Sequence, residues 1–353
     1  MHFILLAAIA LQIGPVSAGA PNRQPQMAAS GGKTFLVFGS GHSIWFSQSS
    51  DEGSTFSTPG KVAELPVMAL GRHRGPRVVV SGKTIVVSAV GGSTIASGPH
   101  SHGLPSDGNL LAWRSSDSGR SWSEPVTVND VPGAAREGLH AMAVDSEGTI
   151  AAVWLDLRSH ETKLFGARSH DAGKTWSRNV LLYESPDGTI CQCCDPSIVS
   201  TGAQRFAVMF RNALKGDRDL YLLNWMRGGV TTPQKLGRSS WKLNACPMDG
   251  GGVVDIDGHV VTAWRRAETV FLARPGQAET AIGKGKDVAL ASGQKGIFIA
   301  WTDPAGIEVR KPDSANPVRL ANGGGFPALA RLSNGNVLAA WEQGGSIFSQ
   351  VLH

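Results

Sequence analysis

Three of the four cysteines of this chain, Cys191, Cys193 and Cys194, fall inside the tetrapeptide CQCC, and the fourth, Cys246, stands in the later segment ACPMD beside Met248. Thiolates and a thioether are soft donors, and such a set suits copper(I) or zinc, with His140 of REGLHAMAV or Met248 completing the shell. Disulfide pairing is the competing reading. A Cys193–Cys194 bond joins neighbouring Cα atoms about 3.8 Å apart, short of the usual range of about 4.4–6.8 Å. The other pairings make Cys191 bridge a residue two or three positions away, and so small a loop constrains the unfolded chain little. Metal, disulfides, and a mixed state with one disulfide and one thiol pair all remain open at this stage.

A second group of side chains has the composition of an acid–base or anion-binding site. Asp156 in WLDLR, Arg211 in FRN, Arg265 in WRRAE and Glu342 in WEQ each follow an apolar run that ends near an aromatic, and Arg74 stands in RHRGPR. Taken singly, each of them is an ordinary solvated charge. Brought to one rim by a common scaffold, they make a concave polar site in which a carboxylate pair such as Asp156 and Glu342 activates water.

The scaffold has to be built from short strands. Forty-four glycines, nineteen prolines and ten tryptophans with little helical periodicity describe many strands joined by tight turns. Residues 1–20, MHFILLAAIALQIGPVSAGA, read as an export signal with small-x-small cleavage patterns ending at Ala18 and Ala20. The expectation is a secreted or periplasmic protein whose residues 21–353 form a single domain, with no stable membrane span and a monomeric state. The net charge of +5 is spread along the chain rather than clustered. That distribution excludes a nucleic-acid footprint and favours at most anionic small molecules or glycans as partners.

Internal repeats name the architecture. Residues 49–56, 115–122 and 169–176 align without gaps as Ser-x-Asp-x-Gly-x-Thr/Ser-aromatic. In such a turn the Asp carboxylate accepts loop N–H groups, the glycine takes the positive φ, and the aromatic packs back between strands. Three copies in register resemble the Asp-box of the sialidase superfamily. A longer repeat of apolar strand, glycine turn and second apolar strand recurs from PQMAASGGKTFLVFGSG to PALARLSNGNVLAAWEQ. The fold class is all-β, a sialidase-like β-propeller, with seven blades by repeat count and six by the resemblance. The boxes join the third strand of a blade to the outer one, so they lie opposite the face that collects CQCC, CPMD and the charged loops.

The resemblance implies an exo-glycosidase acting on an anionic glycan. It implies three arginines that grip a substrate carboxylate, for which Arg74 (with Arg23-Gln24-Pro25 as a competing match), Arg211 and Arg265 are the candidates, and a general acid, for which Asp156 is the candidate. It also implies a tyrosine nucleophile near GGGFPALAR, where this chain has Phe326; its two tyrosines are Tyr183 and Tyr221. The alternatives are a copper or zinc metalloprotein with its centre at the channel mouth, and a non-catalytic binding propeller.

Overall fold

The computed structural model describes residues 10–14, 19–98, 101 and 103–353, and among these every regular element is a strand. The alternation of apolar and small residues, punctuated by glycine turns, folds into seven antiparallel sheets of four principal strands each. Blade 1 runs outward through Asn22–Ser30, Lys33–Ser40, Ser43–Ser49 and Gly60–Glu64. The inner strands of blades 2 to 7 are Arg77–Ser81, His140–Val144, Ser197–Gly202, Gly252–Ile256, Lys286–Gly293 and Gly325–Arg331. All seven repeat units therefore become separate blades. The sixfold count is corrected, because every unit keeps its own sheet instead of merging with a neighbour.

What holds the ring together lies between blades rather than within them. Each of the seven neighbour contacts buries an apolar cluster; blades 3 and 4, for example, enclose Val153, Leu155, Leu164, Phe206, Val208, Phe210 and Trp225. The second strands supply the largest buried side chains, among them Trp154, Trp301 and Trp341. Burying such a side chain contributes roughly 1.5–3 kcal/mol each, so the ring is strengthened wherever two sheets face each other. The last blade takes its outer strand from the other end of the chain: Leu11–Ile13 pairs antiparallel with Ser346–Leu352, Leu11 opposite Ser349. Most of the segment read as an export signal lies outside the described residues, and this strand is its one regular element among those described.

The three box turns have the predicted construction. In the first, Ser49 Oγ donates to Asp51 Oδ1 at 2.7 Å, Thr55 N to the same oxygen at 2.9 Å, and Gly53 N to Ser49 Oγ at 2.9 Å. Gly119 shows why glycine is required: its φ is 81° and a Cβ there would sit 2.2 Å from a ring carbon of Phe46. The aromatic ends of the boxes pack inward, Trp122 meeting Phe46 edge-on at 5.3 Å. These turns connect third and outer strands, so they leave the opposite face to the connections entering each inner strand.

Candidate functional site

The connections entering the inner strands of blades 2, 4 and 5 and the start of the inner strand of blade 6 bring His73, Asp195, Asp249 and Asp287 to the channel mouth. His73 Nε2 lies 2.9 Å from Asp287 Oδ1, and its Nδ1 lies 3.8 Å from Asp195 Oδ1. Asp249 Oδ2 accepts the Asp287 backbone N–H at 3.2 Å, and Asp195 Oδ1 accepts that of Gly250 at 2.9 Å. Burial works against a charge on His73, but the facing carboxylates of Asp195, Asp287 and Asp249 outweigh it and raise its pKa to about 9. The imidazolium is therefore the neutral-pH form. Burial raises Asp287 as well, yet its hydrogen bond to His73 and the charge on that ring leave it below the usual carboxylate range. Burial pushes Asp249 up.

Beside this network, where blades 1, 6 and 7 meet, lies a pocket of about 330 Å³ lined by Asn22, Arg23, Lys286, Asp287, Phe326 and Glu342. Its volume falls at the lower end of the range for small-ligand sites. Glu342 stands near the end of the second strand of blade 7, Val337–Gln343, and its Oε2 accepts the Gln24 backbone N–H at 3.2 Å. Burial raises its pKa to about 7, with the nearby Asp287 adding to the shift. Arg23 and Lys286 are exposed at the rim, and neither forms a salt bridge among the described residues. Gln24, Arg72, His73, Met248, Asp287 and Phe326 all hold φ between 52° and 69°. Such left-handed conformations cost non-glycine residues free energy and cluster where function fixes the backbone.

The structure draws only part of the expected charged set into this pocket. Asp156 is fully buried in blade 3 and takes hydrogen bonds from Trp154 Nε1 at 2.8 Å and from Arg158 N, Nε and Nη2 at 2.9 Å each. It anchors a loop and does not line the pocket. Arg211 is 1 % exposed; it donates to the backbone oxygens of Asp249 at 3.0 Å, Arg218 at 2.6 Å and Arg265 at 3.1 Å. Arg265 places Nε 3.0 Å from Asp249 Oδ2 and donates through Nη2 to Pro247 O at 2.7 Å. Both guanidinium groups lie 5.4 Å from the ring centroid of Trp241. Arg74 is buried and donates to Glu137 O at 2.6 Å. All three expected arginines are thus committed to backbone carbonyls, while Arg23 stands free at the rim.

Asp287 and Lys286 were missed at the sequence level. A signal existed: Asp195, Asp249 and Asp287 each occupy the entry to an inner strand in successive blades, as DPS, DGG and DVA. Neither tyrosine lines the pocket. Tyr183 Oη accepts from Asn212 Nδ2 at 2.9 Å in the outer part of blade 3, and Tyr221 stacks on Phe210. Phe326 occupies the position the resemblance assigns to a nucleophile and meets the His73 ring edge-on at 5.1 Å.

The thiols form a separate cluster on the same face. Cys191 Sγ lies 3.2 Å from Cys194 Sγ and 3.8 Å from Cys193 Sγ, and all three sulfurs lie within 4.8 Å of one another. Their exposures are 0 %, 7 % and 1 %, and Met248 packs against them. Hydrogen bonding among the three thiols, first with Cys193 and then with Cys194, holds Cys191 well below the usual thiol range, with Arg211 assisting, and the same contacts push Cys193 up. Cys246 is exposed and stands outside the group. His140 is also outside it: fully buried, its Nε2 lies 2.8 Å from Ser88 Oγ, and burial lowers its pKa to about 3. No disulfide joins any pair among the described residues.

No family model and no curated protein matches this chain. Solved structures do, and they define a sialidase-like propeller. A Hadza microbial sialidase aligns at 15 % identity over 94 % of this chain with a TM-score of 0.54; the chain spans 65 % of that protein's length. The NanB sialidase from Streptococcus pneumoniae aligns at 10 % identity over 98 % of this chain and 70 % of its own, TM-score 0.56. A Penicillium chrysogenum α-L-arabinanase complexed with arabinobiose aligns at 12 % identity over 97 % of both chains, TM-score 0.57. At these identities the likeness is one of fold.

Proposed function

We propose that this propeller is an exported glycoside hydrolase acting on an anionic glycan, with Glu342 as proton donor and Asp287 as carboxylate base. The observation that carries this reading is that one pocket holds two carboxyl groups whose surroundings push them in opposite directions, Glu342 up to about 7 and Asp287 down. Opposed shifts of this kind separate the acid from the base. Glu342 gives its proton to the glycosidic oxygen as the bond to the anomeric carbon breaks. Asp287, oriented by His73, takes a proton from the water that attacks that carbon, so a free sugar and a free alcohol leave and the two carboxyl groups exchange protonation state. The rim cations Arg23 and Lys286 supply the preference for negative charge. The tyrosine-nucleophile route of sialidases is not part of this proposal, because Phe326 has no hydroxyl to offer.

The test is turnover of fluorogenic glycosides of acidic sugars by the protein and by E342Q. With a poor leaving group, loss of the donor lowers kcat about 10²–10⁴-fold. With an activated aryl leaving group, which departs without a proton, the loss shrinks to less than about tenfold. Equal losses with both substrates refute the role given to Glu342.

A further inference from the structure

The thiol cluster has no part in the chemistry just described, and its geometry is that of a metal shell. We propose that Cys191, Cys193 and Cys194, with the Met248 thioether as fourth donor, form a copper(I) site at the channel mouth. A metal–sulfur bond of about 2.3 Å, the length that zinc thiolates take, sets the sulfurs of a tetrahedral or trigonal shell about 3.8–4.0 Å apart. The separations of 3.2 and 3.8 Å, with every pair inside 4.8 Å, lie within several tenths of an ångström of that spacing for the two pairs measured from Cys191. A disulfide needs about 2.05 Å between sulfurs and uses only two of the three.

The donor set selects the metal. Among the described residues no histidine nitrogen or carboxylate oxygen joins the three sulfurs, and the side chain packed on them is a methionine. Thiolate with thioether is the soft combination that favours copper(I). Charge agrees: three thiolates around a monovalent ion leave a net charge of −2, and cations surround the site. Arg72 Nη1 lies 3.6 Å from the Met248 sulfur, and Arg74 and Arg211 are close enough to interact electrostatically with Cys193 and Cys191. Met248 is held at a φ of 56°, unusual for its residue type, with Asp249, its neighbour, fastened by Arg211 and Arg265. Binding copper(I) displaces protons from the thiols and transfers no electron.

The experiment is an anaerobic titration of the reduced full chain with copper(I) against a chromogenic copper(I) chelator, followed by alkylation mapping and X-ray absorption. The expected result is one copper per chain, a shell of sulfur only, and protection of Cys191, Cys193 and Cys194 while Cys246 still alkylates. C193S should lose affinity by at least about a thousandfold, M248L by about tenfold with one fewer sulfur in the shell, and C246S by nothing measurable. Because C193S could fail to fold, the wild-type alkylation map and M248L carry the test independently. Failure of the fully reduced protein to take up copper, protection of Cys246 in place of one of the three, or a nitrogen- or oxygen-containing shell each overturns the proposal. None of these outcomes bears on Glu342 and Asp287.

Discussion

Replacing His73 by glutamine removes the one imidazolium that faces three carboxylates, and the consequence for stability can be worked out before the measurement. His73 has an ordinary pKa of 6.5 when unfolded and about 9 in the folded chain, and its side chain is 15 % exposed. A group whose pKa is raised by folding binds its proton more tightly in the native state. Its contribution is complete below pH 6.5, declines above it, and is gone once the pH passes 9. The shift corresponds to about 3 kcal/mol, or roughly 4 °C in melting temperature for a chain of this length. Urea unfolding followed by tryptophan fluorescence from pH 6 to pH 10, run in parallel on the protein and on H73Q, isolates the effect. The wild type should lose about 3 kcal/mol more than H73Q across that interval, with the difference concentrated between pH 6.5 and 9. Parallel stability curves would refute the argument that Asp195, Asp249 and Asp287 hold a proton on His73.

Turnover should fall as pH rises through about 7, the value to which burial lifts Glu342, because the protonated donor disappears; a pH–rate profile with no descending limb in that region removes the assignment. D156N should lower stability by roughly 1–3 kcal/mol in denaturant melts, since the buried acceptor for Trp154 and Arg158 loses its charge while Arg158 keeps Asp130, and the KM of any glycoside it turns over stays within twofold of wild type. Sequencing of the mature N-terminus after export should find Gly19 or Pro21 first; such cleavage removes the strand Leu11–Ile13 and leaves Ser346–Leu352 as the outer edge of blade 7. R211K should weaken copper(I) binding and glycoside turnover together, each by tenfold or more, since lysine lacks the planar fork that reaches three carbonyls; a change in only one of the two properties counts against a shared frame.

The blade count, the box turns and the face on which the cysteines gather could be read from the sequence, because each depends on short-range pattern. A strand–turn–strand unit repeats wherever its apolar residues do, and an Asp-box builds its hydrogen bonds within eight residues. The site was legible only in part. Glu342 and the CQCC triplet follow from their place next to core strands, whereas the roles of Arg211 and Asp156 turn on what their side chains reach. Arg211 looks like a substrate grip at the end of a strand, yet three backbone oxygens claim it. Asp156 looks like an acid until the Trp154 and Arg158 donors are counted around it. Sequence gives the position of such a residue and not the direction of its side chain. Asp287 was missed for the converse reason: its one sequence signal, an aspartate at the entry to an inner strand in three successive blades, says nothing of the His73 partner that gives it a role.

The arginines expected to hold a substrate carboxylate serve a purpose that explains their burial. The segment entering blade 5, Pro247-Met248-Asp249, faces two centres at once. Met248 packs on the thiols, and Asp249 reaches the backbone of Asp287. A segment carrying a methionine at positive φ next to a fully buried carboxylate does not hold itself in place. Arg211 and Arg265 fix it by taking the carbonyls of Asp249 and Pro247 and the Asp249 carboxylate, with Trp241 against both guanidinium groups. Fork-shaped cations suit this task because each can satisfy several acceptors in fixed directions. Two of the three arginines that the sequence offers as ligands for an external anion are therefore committed to this internal segment, and Arg23 and Lys286 are the cations left at the rim of the pocket.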